Sequence, residues 1–326
     1  LSSLHWIHDQ PHQAIEMAQK ALTLARKTSH SSYEVSIMYH LGIYFFTCGD
    51  YLKQVEYQQE VRKRLTGTAA YLQHGLSTFP GVWVRGHLAL GMAELGKFDK
   101  IDELGREALA IARKVENALT RVITYTCLGM AYLRCGKVEL ALEHLEKSYK
   151  ECLNSKVKFV HSYTAGALGQ VYLLTKEPSS ALSVLKEGTK PEYIERGVWT
   201  IQSFTALADA YRVTGEIDLA MDAISRALKL AGESEERGFE AWAMMVKARI
   251  KSDADQMNEA RQWYRRALKQ AGDLSMRPLI AHCHQELCDL HLRHGKKDEA
   301  QLEFDTAQEM YRALGMTYYV QPQGSN

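Results

Sequence analysis

A small residue recurs along this chain at a nearly constant interval. Ser2, Gly42, Ala89, Gly129, Gly169, Ala208, Ala248 and Cys288 are separated by 40, 47, 40, 40, 39, 40 and 40 residues. The clearest copy of the phrase around these anchors runs Leu128, Gly129, Tyr132, Gly136, Ala141, Leu145. It returns as Leu168, Gly169, Tyr172, Ala181, Leu185 and as Leu207, Ala208, Tyr211, Gly215, Ala220, Ile224. A fixed period of this length is the signature of a repeat array. Apolar residues recur at three- and four-residue spacing on both sides of turns at Gly49-Asp50, Gly96-Lys97, Gly136-Lys137, Gly215-Glu216 and Gly295-Lys296, so each unit reads as two helices. Glycine ends the first helix of a unit by accepting the left-handed conformation.

Small residues at the anchor and twelve positions later let the two helices approach closely, and bulky residues fill the gaps between hairpins. Leucine at Gly129 or Gly169 is expected to wedge the helices apart, with alanine tolerated. One hairpin cannot bury both its apolar faces and must stack on neighbours. The expected fold is therefore all-α: a right-handed solenoid of about eight antiparallel hairpins filling 1–320 as a single domain, with 321–326 a disordered tail. The chain opens on Leu1, without Met and already in a helical pattern, which points to a longer parent protein.

The one irregular interval, 47 residues, lies around YLQHGLSTFPGVW, where Gly75, Ser77, Pro80 and Gly81 extend the connection between the second and third hairpins. It is the one candidate hinge or functional loop. The six prolines fall at expected turns, helix starts or the tail, so long helices survive between them.

Forty basic residues against thirty-nine acidic ones leave a formal charge of +1, without the basic footprint of a nucleic-acid binder. No apolar run approaches membrane-spanning length, and the first ten residues lack the basic and apolar regions of a secretory signal. Neither a nucleic-acid nor a membrane partner is expected. The six cysteines form no CxxC pair, which suits reduced, buried thiols in a cytoplasmic protein.

The pattern resembles the tetratricopeptide repeat, with a forty-residue period longer than that family's usual thirty-four. Two segments, HGLSTFPGVWVRGHLALGMAELGKFDKIDELGREALAIAR and SMRPLIAHCHQELCDLHLRHGKKDEAQLEFDTAQEMYRALGM, resemble the C-terminal helical-repeat sensor regions of bacterial cyclase and switch-ATPase fusions and of MalT-like signalling proteins. The resemblance implies a regulatory tail that holds a protein or peptide, with an intramolecular contact to an ATPase or cyclase domain elsewhere in the parent. The chain departs from the repeat consensus at Gln54, where Ala is expected, and at Lys251 and His291, where Tyr is expected.

Other motifs carry bland explanations. Gly91 to Lys97 has the spacing of a phosphate-binding loop, but the next residue, Phe98, cannot supply the magnesium-binding hydroxyl, and no strand precedes it. His284, Cys288 and His291 share one helical face, yet a closed zinc site needs four ligands, and two of these three occupy packing positions of the repeat. No metal, cofactor or catalytic residue is expected, and no esterase elbow, zinc-protease helix or dinucleotide turn occurs.

The first helix of each hairpin should line a concave face that holds the partner. Its first half, Tyr39, Ile43, Phe46, Trp83, Leu90, Ile123, Met130, Leu133, Tyr163, Gln170 and Leu173, reads as apolar, with Tyr39, Ile43, Phe46, Trp83, Leu90, Met130, Leu133 and Tyr163 as candidate contacts. Farther on the wall becomes polar, through Gln202, Thr205, Asp209, Trp242, His282, Gln285, Asp289 and the arginines Arg212, Arg249 and Arg293, which would capture acidic groups. A small-molecule effector site is the alternative, requiring a closed pocket lined by aromatics such as Tyr39, Phe46 and Trp83.

Overall fold

The computed structural model describes residues 2–7, 10–28, 31–76, 78–158, 160–193 and 200–321. Among them lie sixteen α-helices, three short 3₁₀ turns and no strand. The helices pair as eight antiparallel hairpins: α1 (Ser2–Ile7) with α2 (Pro11–Lys27), α3 (Ser31–Thr47) with α4 (Tyr51–Arg64), α5 (Pro80–Glu94) with α6 (Ile101–Ala112), and α7 (Ala118–Cys135) with α8 (Val138–Asn154). The second half pairs α9 (His161–Leu174) with α10 (Pro178–Gly188), α11 (Ile201–Val213) with α12 (Ile217–Glu233), α13 (Arg237–Asp253) with α14 (Met257–Asp273), and α15 (Arg277–Arg293) with α16 (Lys297–Leu314). Ser77 and 322–326, most of the expected tail, lie outside the described residues.

From the second hairpin to the eighth, each tip ends its first helix with the same pair of backbone bonds. At Gly136 (φ +74°) the N–H bonds Leu133 O and the next N–H, of Lys137, reaches back to Tyr132 O. Lys176 (φ +62°) and Asp255 (φ +60°) hold the left-handed position where the fifth and seventh hairpins have no glycine, which is why those two turns are hard to read from sequence. The small anchors act as expected but with less slack. A Cβ on Gly169 would lie 2.5 Å from Leu185 Cγ, and one on Gly129 would collide with Leu145 Cγ, so even alanine requires the facing leucine to shift. Gln54 replaces the expected alanine by reaching from α4 to α5, where its Nε2 donates to His87 O at 2.9 Å.

The long second connection is packed rather than hinge-like. Its 3₁₀ turn, Gly67–Tyr71, presses Ala70 onto the start of α5, and Ala70 and Val82 form a small apolar cluster with Ala108, Ile111 and Ala112 of α6.

The largest departure from expectation is that the superhelix closes on itself. The tip at Gly49 meets the start of α13 at Gly238, and the tip at Gly96 meets α16 and α15, where a Cβ would lie 2.6 Å from Leu314. The tip at Gly136 meets Tyr319 of the C-terminal 3₁₀ turn (Thr317–Tyr319). Side chains reinforce the closure, as in the 3.1 Å contact of His12 with Glu235. The accessible surface is 14535 Å², close to the roughly 13,600 Å² expected of a folded monomer of this size.

Candidate functional site

Closure fills the first half of the interior with the protein's own side chains. Phe239 of α13 sits edge-on to Phe46 (centroids 6.1 Å) and to Tyr163 (6.3 Å), and Trp83 packs on Tyr39 (6.3 Å). Tyr39, Ile43, Phe46, Trp83, Leu90, Met130 and Tyr163 are all buried, with at most 7% exposure. The expected open apolar wall is therefore corrected: these side chains form core between the first and last hairpins. Aromatic periodicity on the inner helices signals burial equally well against a partner or against the chain's own far end, and the sequence does not distinguish them.

A buried latch holds the two halves together. Glu94 of α5 accepts from Arg134 Nε of α7 at 2.8 Å and from Trp242 Nε1 of α13 at 3.2 Å. The Arg134 guanidinium also lies 4.0 Å over the Trp242 ring. Arg134 and Glu94 side chains are 4% and 2% exposed.

Beyond the latch a cavity of about 340 Å³ remains, lined along the inner helices from α7 to α15 and by Tyr319. Of the candidate contacts it collects Leu133, Arg212 and Arg249, together with Gln170 and Leu173 of the first half and Thr205, Asp209, Trp242, His282, Asp289 and Arg293 of the polar wall, but not Gln202 or Gln285. Sequence reasoning missed Arg134, Asp253, Glu286 and Tyr319, of which the first three lie one helical turn from positions it did select.

The arginines expected to capture a partner's acidic groups are instead held by the protein's own carboxylates. Arg249 Nη1 donates to Asp209 at 3.1 Å and its Nη2 lies 2.5 Å from Glu286. Arg212 donates to Asp209 at 2.7 Å and to Asp253 at 2.6 Å, and Arg293 donates to Asp253 at 3.0 Å. The result is one ladder, Glu286–Arg249–Asp209–Arg212–Asp253–Arg293, spanning three hairpins. Burial works to raise the Asp209 carboxyl, but the Arg249 and Arg212 guanidiniums outweigh it and hold it below the ordinary carboxylate range. Four arginines face four carboxylates across the lining, so the cavity is polar yet charge-balanced.

The threonine and serine hydroxyls and the imidazole of the lining are committed to the protein's own bonds. Thr205 donates to Ile201 O, Ser252 accepts from Arg293, and His282 Nδ1 bonds the Tyr311 hydroxyl at 2.9 Å. Burial, with Arg249 and Arg134 nearby, drops the His282 imidazole to about 3, keeping it neutral. His284 pairs with Glu303, while Cys288 is buried, and no metal-binding group of His, Cys, Asp or Glu occurs among the described residues. All six cysteines are buried and unpaired. No helix among the described residues is long and apolar enough to cross a membrane.

Several solved structures superpose on this closed arrangement of hairpins. A Rap protein complexed with competence and sporulation factor has a TM-score of 0.64 at 14% identity, covering 87% of this chain and 78% of that one. The Rap conjugation gene regulator of plasmid pLS20, in complex with the Phr* peptide, also scores 0.64 at 14% identity, covering 88% and 79%. The APC/C hetero-tetramer Cut9–Hcn1 scores 0.56 at 14% identity, covering 95% of this chain and 53% of that one. The fold is a tetratricopeptide-type solenoid. No protein-family model matches the sequence, and no curated protein matches it. At such low identity the likeness shows the fold alone.

Proposed function

We propose that this solenoid is a non-catalytic receptor that holds a short peptide segment in its interior cavity. The observation that carries the reading is the cavity itself: a space walled by five inner helices, with paired charges and with the Gln170 amide as a hydrogen-bonding side chain. A charge-balanced polar lining suits a ligand that is itself locally neutral and rich in donors and acceptors, as a peptide backbone is. The similar fold of the pLS20 regulator, described in complex with a peptide, supports this reading.

The wording of two segments supports a place for the chain as the regulatory repeat region of a larger bacterial signalling protein, in contact with an ATPase or cyclase domain. The buried unpaired thiols fit a cytoplasmic setting. A second reading, a small-molecule effector site, is favoured by the cavity's size, which lies near the lower end of the roughly 300–1,000 Å³ usual for such pockets.

The test is native mass spectrometry of the protein against a synthetic library of short peptides and a panel of polar metabolites. Gln170→Trp, which fills the cavity, serves as the control variant. The proposal expects one peptide bound per chain, lost in Gln170→Trp. Peptide binding that survives this substitution overturns the site, and metabolite binding alone, lost in the variant, replaces the first reading with the second.

A further inference from the structure

The seven extra residues between the second and third hairpins build a second concavity, remote from the interior one. The 3₁₀ turn Gly67–Tyr71 stands between α4 and α6 and walls a cleft of about 830 Å³. Leu88, Met92 and Leu104, each buried, supply apolar lining.

Charge among the residues lining this cleft is one-sided, although Glu103, just outside the lining, also pairs with Arg62 at 2.5 Å. Arg62, Lys63, Arg85 and Lys100 line it against a single carboxylate, Glu107. Both oxygens of Glu107 are already used, one by Arg62 Nη2 at 2.5 Å and the other by Arg85 Nε at 2.6 Å. Lys100 has no ion-pair partner among the described residues, and the partner of Lys63 is Glu60 on its own helix at 3.8 Å. The hydroxyls of Thr66, Thr68 and Tyr71, which also line the cleft, have no hydrogen-bond partner among the described residues. The cleft thus offers one unpartnered cation, Lys100, a second, Lys63, held only at 3.8 Å, and three hydroxyls able to donate, above an apolar surface.

We infer that this cleft binds an organic anion with an apolar body, its carboxylate or phosphate held by Lys63, Lys100 and the threonine hydroxyls. Anionic oxygens accept charge-assisted bonds from ammonium and hydroxyl donors, while the body covers Leu88, Met92 and Leu104. Arg85, only 7% exposed, donates to Gly81 O and Leu65 O and so fixes the connection that forms the wall. The site is independent of the interior cavity and stands or falls separately from the peptide reading.

The probe is decyl phosphate below its micellar concentration, titrated calorimetrically into the full chain, with decanol as the uncharged comparison. The expected result is one site per chain, binding the phosphate at least tenfold more tightly than decanol. The double variant Lys63→Glu/Lys100→Glu should weaken it a further tenfold or more at unchanged melting temperature, because both side chains are exposed. Gln170→Trp should leave it unaltered. Equal binding of decanol, indifference to the double charge reversal, or loss in Gln170→Trp would each overturn the assignment. Flotation with phosphatidic acid vesicles identifies the source: flotation abolished by the double variant means a lipid headgroup, and its absence alongside binding of the free probe means a soluble anion.

Discussion

Replacing Glu94 by alanine should be among the most damaging single changes the fold can suffer. The carboxylate is 2% exposed and neutralises an equally buried guanidinium, so its loss leaves Arg134 without a counter-charge and Trp242 Nε1 without an acceptor. Breaking one side of a buried pair costs about 3–5 kcal/mol, a large share of the roughly 5–15 kcal/mol that a domain has. Replacing both partners together removes the uncompensated charge, so Glu94→Leu/Arg134→Leu should cost clearly less than Glu94→Ala. The assay is urea unfolding of the two variants and wild type, read by circular dichroism and by tryptophan fluorescence. A loss below about 1 kcal/mol for Glu94→Ala would refute the buried latch, since that is what an exposed ion pair gives. A double variant worse than Glu94→Ala would refute the reasoning about the stranded charge.

Three further outcomes follow from the geometry. Gly129→Ala should destabilise by about 1–3 kcal/mol, because its Cβ meets Leu145 Cγ at the branch point rather than at a movable end, and a thermal melt unchanged from wild type would place the hairpin register in error. Lys176→Gly and Asp255→Gly should each stabilise by about 0.5–1 kcal/mol by relieving a left-handed side-chain-bearing residue, a gain that denaturant midpoints would detect. Burial holds the His87 imidazole down to about 4, against about 6.5 when unfolded, so its stability contribution is present above pH 6.5 and lost as pH falls toward 4. At pH 5.5 this single group should cost on the order of 1 kcal/mol, and His87→Phe, which keeps a ring against Trp83 and Phe46, should flatten that part of the pH profile.

The eight hairpins were legible because each is built from local rules: a period of forty, glycine at the tip, small residues where helices cross. The turns at Lys176 and Asp255 were not, because a left-handed residue without glycine carries no compositional mark. Half of the site was legible for the same local reason. Counting along the inner helices selects Leu133, Arg212 and Arg249 for the cavity wall, and they do line it. What the counting cannot supply is how far the superhelix turns. Closure is the sum of small rotations between hairpins, and it decides that Phe46 meets Phe239, 193 positions later, instead of a partner. It also decides that Arg249 meets Asp209 and Glu286 instead of an acidic ligand.

The account rests most heavily on that closure, and a distance measurement between its two sides tests it directly. His12 and Glu235 lie in contact at 3.1 Å, though one belongs to the first hairpin and the other to the connection after the sixth. With both changed to cysteine and spin-labelled, the six native thiols being buried, electron paramagnetic resonance should show strong dipolar broadening at contact range. An open stack of five hairpin steps, at roughly 9 Å each, would instead separate the labels by about 45 Å. A distribution centred near that longer distance would contradict the closed superhelix, and with it the buried latch and the interior cavity.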